Sequence, residues 1–156
     1  MDDSNSDKIK IRKMKPIKTF IIGSSAFFSG MPGYSPKDID ELNIVDTFPF
    51  EGNSIHVKNL HGKDVFFFRD MDKEGFMQDT RKSGLSMVVG KFIVPEFANY
   101  LGLTIDELKG MSDLFDNLDE KHSYEKIIYD AYIENGGFFL NDKQREKSFN
   151  KYKETR

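Results

Sequence analysis

The 156-residue chain carries 23 basic and 26 acidic residues, a net charge of −3, which argues against a broadly basic nucleic-acid binder. It has no cysteine and only three histidines (His56, His61 and His122), so disulfides and thiolate metal sites are excluded and a histidine-built zinc site is disfavoured. No apolar run approaches the roughly 18–20 residues that cross a bilayer, and MDDSNSDKIK is acidic where a signal peptide is basic, so a cytoplasmic protein is expected.

The length suits one domain, residues 1–156, with a sizeable core, and most of its fifteen phenylalanines and six tyrosines must be buried in it. Residues 1–7 read as a disordered tip. KIKIRKMK, residues 8–15, alternates basic and apolar positions, which predicts an edge strand or a flexible basic arm, either of them a solvated face. KTFIIG (18–23) is a short apolar run with β-branched residues and predicts a buried strand. The following SSAFFSGMPG can begin a short helix but ends as loop.

GYSPKDIDELNIV (33–45) supports two alternatives. Ser35, Pro36 and Asp38 make a good helix start: a cap, a proline in the first turn and an acid behind it. Alternatively the segment is a strand, and Asp38 and Asp40 then share one face. The apolar positions Ile39, Leu42, Ile44 and Val45 do not sustain a helical stripe, and Pro49 cuts the run short.

SIHVKNL (54–60) and KDVFFFRD (63–70) predict a hairpin turning at His61-Gly62, with the phenylalanine-rich second strand inside the sheet. His56 and His61 are expected at the surface, and Phe66–Phe68 in the core. From about residue 71 the chain reads as mainly helical. A short helix is expected over 72–80, residues 84–97 fit helix or strand, and Pro95 opens a new turn. Thr104-Ile-Asp-Glu107 is a capping box that starts a helix at Ile105. Ser123 caps a helix with an apolar stripe of Tyr124, Ile127, Ile128, Ala131 and Tyr132, which Gly136 and Gly137 end. Asn141 with Gln144 caps a last charged helix to about Glu154. Strands come first and helices after, so the fold class is α+β: a small mixed sheet over 16–70 with helices packed on it, and a helical region over 71–156.

The chemistry-bearing arrangement is a strand ending in Gly23-Ser24, a loop, Asp38-Ile39-Asp40, and Asp64 at the head of an apolar strand. A Gly-Ser turn exposes amides and a hydroxyl that can hold phosphate oxygens. Carboxylates on adjoining strands repel one another unless a cation joins them, and Mg²⁺ held by carboxylates and substrate phosphates is the usual occupant.

The stretch IIGSSAFFSGMPGYSPKDID…KDVFFF resembles the nucleotidyltransferase superfamily, and in particular small nucleotidyltransferase-like proteins of bacteria and phages. The likeness covers residues 18–70. It implies that Gly23, Ser24 and Ser25 hold the phosphates of an NTP. It further implies that Asp38, Asp40 and Asp64 bind Mg²⁺, with Asp64 helping to activate an acceptor hydroxyl whose identity is unknown. The chain departs from the family where a basic residue often follows Gly-Ser, since Ala26, Phe27 and Phe28 stand there, and at Glu41, which is usually apolar. Two other expectations follow from the same residues. One is an inactive domain of this fold that binds a nucleotide, a protein, or nucleic acid through the arm at 8–15. The other is an unrelated α+β interaction domain with all three aspartates exposed.

Overall fold

The computed structural model describes residues 3–35, 39–83, 90–113 and 124–154. Within them the chain is a mixed α/β protein with seven helices and four strands. These are α1 (Asp3–Lys13), β1 (Lys18–Ile22), α2 (Gly23–Phe27), β2 (Ile39–Val45), β3 (Ser54–Leu60), β4 (Lys63–Arg69) and α3 (Lys73–Ser83). The remainder are α4 (Pro95–Leu101), α5 (Ile105–Ser112), α6 (Tyr124–Asn135) and α7 (Asp142–Glu154). The chain divides into two compact units: Met1–Ile21 with Asp38–Met71, and Ile22–Lys37 with Asp72–Arg156.

The first unit is built on a sheet of order β1-β2-β4-β3. The hairpin forms where expected, with β3 antiparallel to β4, and His61 and Gly62 both have positive φ, as a tight primed turn requires. β4 is interior and pairs in parallel with β2, in the register Asp40↔Asp64, Leu42↔Phe66 and Ile44↔Phe68. The sheet is therefore mixed. Of the two alternatives for 33–45, the strand holds from Ile39 onward, while the helix-start positions Pro36 and Lys37 and the metal candidate Asp38 lie outside the described residues. β4 decides the outcome: a strand at Ile39–Val45 buries Leu42, Ile44 and Val45, which a short helix with no apolar stripe could not do.

Alternation gives the sheet two faces. One carries Asp40, Leu42, Ile44, Asp64, Phe66 and Phe68; the other carries Asn43, Val45, Val65 and Phe67. On the second face Val45, Val65 and Phe67 form a core against which Ile11, Met14, Phe48 and Ile55 pack. Thr19 Oγ1 donates to Asn43 Oδ1 at 2.8 Å, which satisfies that buried amide beside the core.

The N-terminus corrects the expectation. Residues 3–7 are not a disordered tip, and 8–13 are neither an edge strand nor a flexible arm; Asp3–Lys13 is the helix α1. Lys10, Arg12 and Lys13 sit in its last turn, where cations are favoured by the helix dipole. Alternation misled because the residues that pack inward are Ile11 and Met14, three apart, while Ile9 is left exposed.

The second unit begins at Ile22, the last residue of β1, and α2 follows at once from Gly23, whose φ of 68° suits a residue without a Cβ. An aromatic cluster forms its core: Phe28 stacks on Tyr152 at 5.0 Å and tilts against Phe149 at 5.3 Å. Arg145 ties α7 to the α2 end, donating to the Phe27 carbonyl at 3.1 Å and to the Ser29 carbonyl. α6 buries Glu125, Ile128, Tyr129 and Tyr132, a stripe offset from the expected one, in which Ile127 and Ala131 are only half-buried. The offset follows from α6 packing against α2, α5 and α7 together, so its apolar face is not directed at one neighbour. The Tyr132 phenol donates to the Ile93 carbonyl at 3.2 Å, and its burial, with the nearby Glu96 charge, pushes its pKa up.

Helix starts follow the sequence closely. Pro95 opens α4, and Thr104 and Glu107 form the capping box of α5. Asn141 and Gln144 bond reciprocally at the start of α7. The expected cap Ser123 and residues 84–89 lie outside the described residues. Thr104→Ala is expected to lower stability by about 1 kcal/mol, read as a fall in the urea midpoint at unchanged slope.

Candidate functional site

In the first unit the face of the sheet that carries Asp40 and Asp64 is also its chemically loaded face. The two residues are direct partners in the parallel β2/β4 register. Neighbouring strands lie about 4.8 Å apart, so the two carboxylates start from adjacent backbones and point the same way. Asp40 is buried, with 7% exposure, and the Asp64 side chain is 21% exposed. Like charges directly opposite on a sheet destabilise it, so the arrangement needs compensation.

Part of the compensation at Asp64 comes from the hairpin. The Asn59 amide donates to Asp64 Oδ1 at 3.2 Å, and His56 Nε2 lies 3.7 Å from the same oxygen. The His56 ring stacks on Phe66, centroids 4.2 Å apart and 8° from parallel. His56 is at the surface as expected, but its position beside Asp64 was not evident from the sequence. Counting back from the His61-Gly62 turn pairs His56 with Phe67, on the opposite face. A register shift between Val57 and Leu60 instead pairs His56 with Phe66. Asn59, with φ of 55°, stands in that bulge, and the extra residue turns His56 toward the carboxylates. The available signal was Asn59 itself, a residue type that tolerates positive φ near a turn.

Glu41 is not part of this face. It projects from the other side of β2, where its Oε2 accepts from Lys63 Nζ at 3.0 Å.

Gly23, Ser24 and Ser25 belong to the second unit. The Gly23 amide donates to the Lys91 carbonyl at 3.1 Å, and the buried Ser25 hydroxyl donates to the Ile22 carbonyl at 2.9 Å. Ser24 Oγ accepts from the Tyr34 hydroxyl at 2.9 Å, which leaves its own proton to donate. Of the three, Ser24 is the residue with a side-chain donor to offer a ligand.

Among the described residues, no three side chains of His, Asp and Glu converge as a metal-holding group. Asp40 and Asp64 offer two carboxylates, and the third sequence candidate, Asp38, lies outside the described residues. Mg²⁺ is commonly held by one or two carboxylates plus substrate phosphates and water, so the donor chemistry of this pair fits it. No helix among the described residues is long and apolar enough to cross a membrane. Comparison with family models, with curated proteins and with solved structures gives no significant match to this chain.

His56→Ala removes the ring that covers Phe66 and is expected to cost about 1 kcal/mol of stability, whereas His56→Phe keeps the stack and most of that stability. Urea denaturation of both variants at a pH where histidine is neutral checks this.

Proposed function

We propose that the chain is a nucleotidyltransferase-like protein that transfers a nucleoside monophosphate from an NTP to a hydroxyl acceptor, and that its sheet is of the nucleotidyltransferase type. The observation that carries this proposal is the in-register pair Asp40↔Asp64 on neighbouring parallel strands. It is supported by the sequence order of Gly23-Ser24, Asp38-Ile39-Asp40 and Lys63-Asp64, which resembles that superfamily.

In this proposal Asp40 and Asp64, with Asp38 from the sequence pattern, would hold Mg²⁺. When bound, Mg²⁺ would neutralise phosphate charge and favour departure of pyrophosphate. Asp64 orients the acceptor hydroxyl: its Oδ1 is held by the Asn59 amide, and its other oxygen accepts the hydroxyl proton. The hydroxyl oxygen forms the new bond to the α-phosphorus as the bond to pyrophosphate breaks. His56 acts through Asp64, restraining that carboxylate from the side.

Calorimetry with each NTP in the presence of Mg²⁺ tests the proposal. The wild-type chain is expected to bind at least one NTP only when Mg²⁺ is present. Asp40→Asn and Asp64→Asn should each weaken that binding on the order of tenfold or more while the protein stays folded. Nucleotide binding without any transfer would favour the inactive domain of this fold. No nucleotide binding by the folded wild-type chain would sink the transferase and favour an inactive domain of this fold that binds a protein or nucleic acid instead.

A further inference from the structure

The face of the sheet opposite the carboxylates carries a cleft that the proposed reaction does not use. Between α1 and the β3/β4 hairpin, wholly within the first unit, lies a cleft of about 740 Å³. That size falls in the range of small-molecule sites, about 300–1,000 Å³. Its floor is apolar, made by Val57, Leu60, Val65 and Phe67, with Ile11 and Met14 on the helix side.

Its charge is at odds with the chain as a whole. The protein is net negative by three, yet among the described residues this cleft is lined by Lys8, Arg12, Lys58 and Lys63 against one carboxylate, Glu41. Glu41 is already engaged by Lys63 at 3.0 Å. Lys8, Arg12 and Lys58 form no ion pair among the described residues. Lys8 and Arg12 are four apart on α1 and so lie on one side of that helix. Lys58 comes from β3 at the bulge that interrupts strand alternation, which lets both Val57 and Lys58 line the same space. Three cations with no ion pair among the described residues, set over an apolar floor partly walled by a helix, raise the local potential and favour a ligand of opposite charge.

We infer that this cleft binds a free, small amphipathic anion: an acidic head group, carboxylate or phosphate ester, on an apolar body. The head lies against Lys8, Arg12 and Lys58, and the body covers the half-buried Ile11, Val57 and Leu60. This inference does not rest on the nucleotidyltransferase proposal, because Asp40 and Asp64 project from the other face.

Fluorescence titration of the whole chain with anilinonaphthalene sulfonate, an aromatic anion of this kind, tests it. Saturable enhancement is expected, and Arg12→Glu with Lys58→Glu should weaken it at least tenfold. The milder pair Arg12→Gln with Lys58→Gln, which adds no repulsion, should give a smaller loss of the same sign. Lys147→Glu with Lys151→Glu, an equal charge change on α7, should leave it unchanged. Octanoate or octyl phosphate should displace the dye, whichever is stronger identifying the head group, while octanol at the same concentration should not. Circular dichroism confirms that each variant is folded. Unaltered dye binding in the folded cleft variants, or equal displacement by octanol, overturns the inference. Displacement by a single-stranded oligonucleotide at lower concentration than either anion also overturns it, and would assign the cleft to nucleic acid.

Discussion

The parallel pairing of β2 with β4 is the constraint on which the first unit depends. It places Leu42 beside Phe66 and Ile44 beside Phe68, and those four side chains are almost wholly buried. Each is worth about 1.5–3 kcal/mol of burial, so a slip of one residue, which would send all of them to the other face, is strongly opposed. The same register leaves no choice about Asp40 and Asp64. Two carboxylates are brought side by side because the apolar residues behind them fix the strands, not because the carboxylates favour the contact. A hydrophobic core here sets the geometry of a charged pair.

That division of labour also explains the hairpin. Without the bulge near Asn59, His56 would stand on the face with Phe67 and Val65, away from Asp64. The bulge costs ladder regularity and puts one residue, Asn59, at positive φ. In return the Asn59 amide and the His56 ring both reach Asp64, so the exposed end of the acidic pair is held in place. The two faces of one four-stranded sheet then carry opposite charge: carboxylates at one, and cations around the cleft at the other. Charge segregation of this kind is compatible with a net charge near zero, which is why the overall balance of 23 basic and 26 acidic residues revealed neither face.

What the sequence revealed is set by how local each signal is. The hairpin, the Thr104–Glu107 box, the Pro95 helix start and the Asn141–Gln144 cap were legible because each rests on residues a few positions apart. α1 was not, because KIKIRKMK alternates like a strand, and only packing of Ile11 and Met14 onto Val45, Val65 and Phe67 reveals the helix. IDELNIV at 39–45 and IDELKGMS at 105–112 begin with the same four letters, yet one is a strand and the other a helix. A cap precedes the second, and a partner strand of valine and phenylalanines receives the first, so tertiary pairing overrode identical local propensity. Asp40 and Asp64 were both named from the sequence, but their adjacency is a property of register, which spacing along the chain does not encode.

The central claim is that this adjacency exists to hold a divalent cation. Crystals grown or soaked with Mn²⁺, which accepts the same oxygen donors as Mg²⁺ and scatters anomalously, measure it most directly. The account predicts an anomalous peak between Asp40 and Asp64, with oxygens of both carboxylates at roughly 2.0–2.2 Å from the ion. A fully ordered sheet with the Asp40↔Asp64 register intact and no peak there would contradict it.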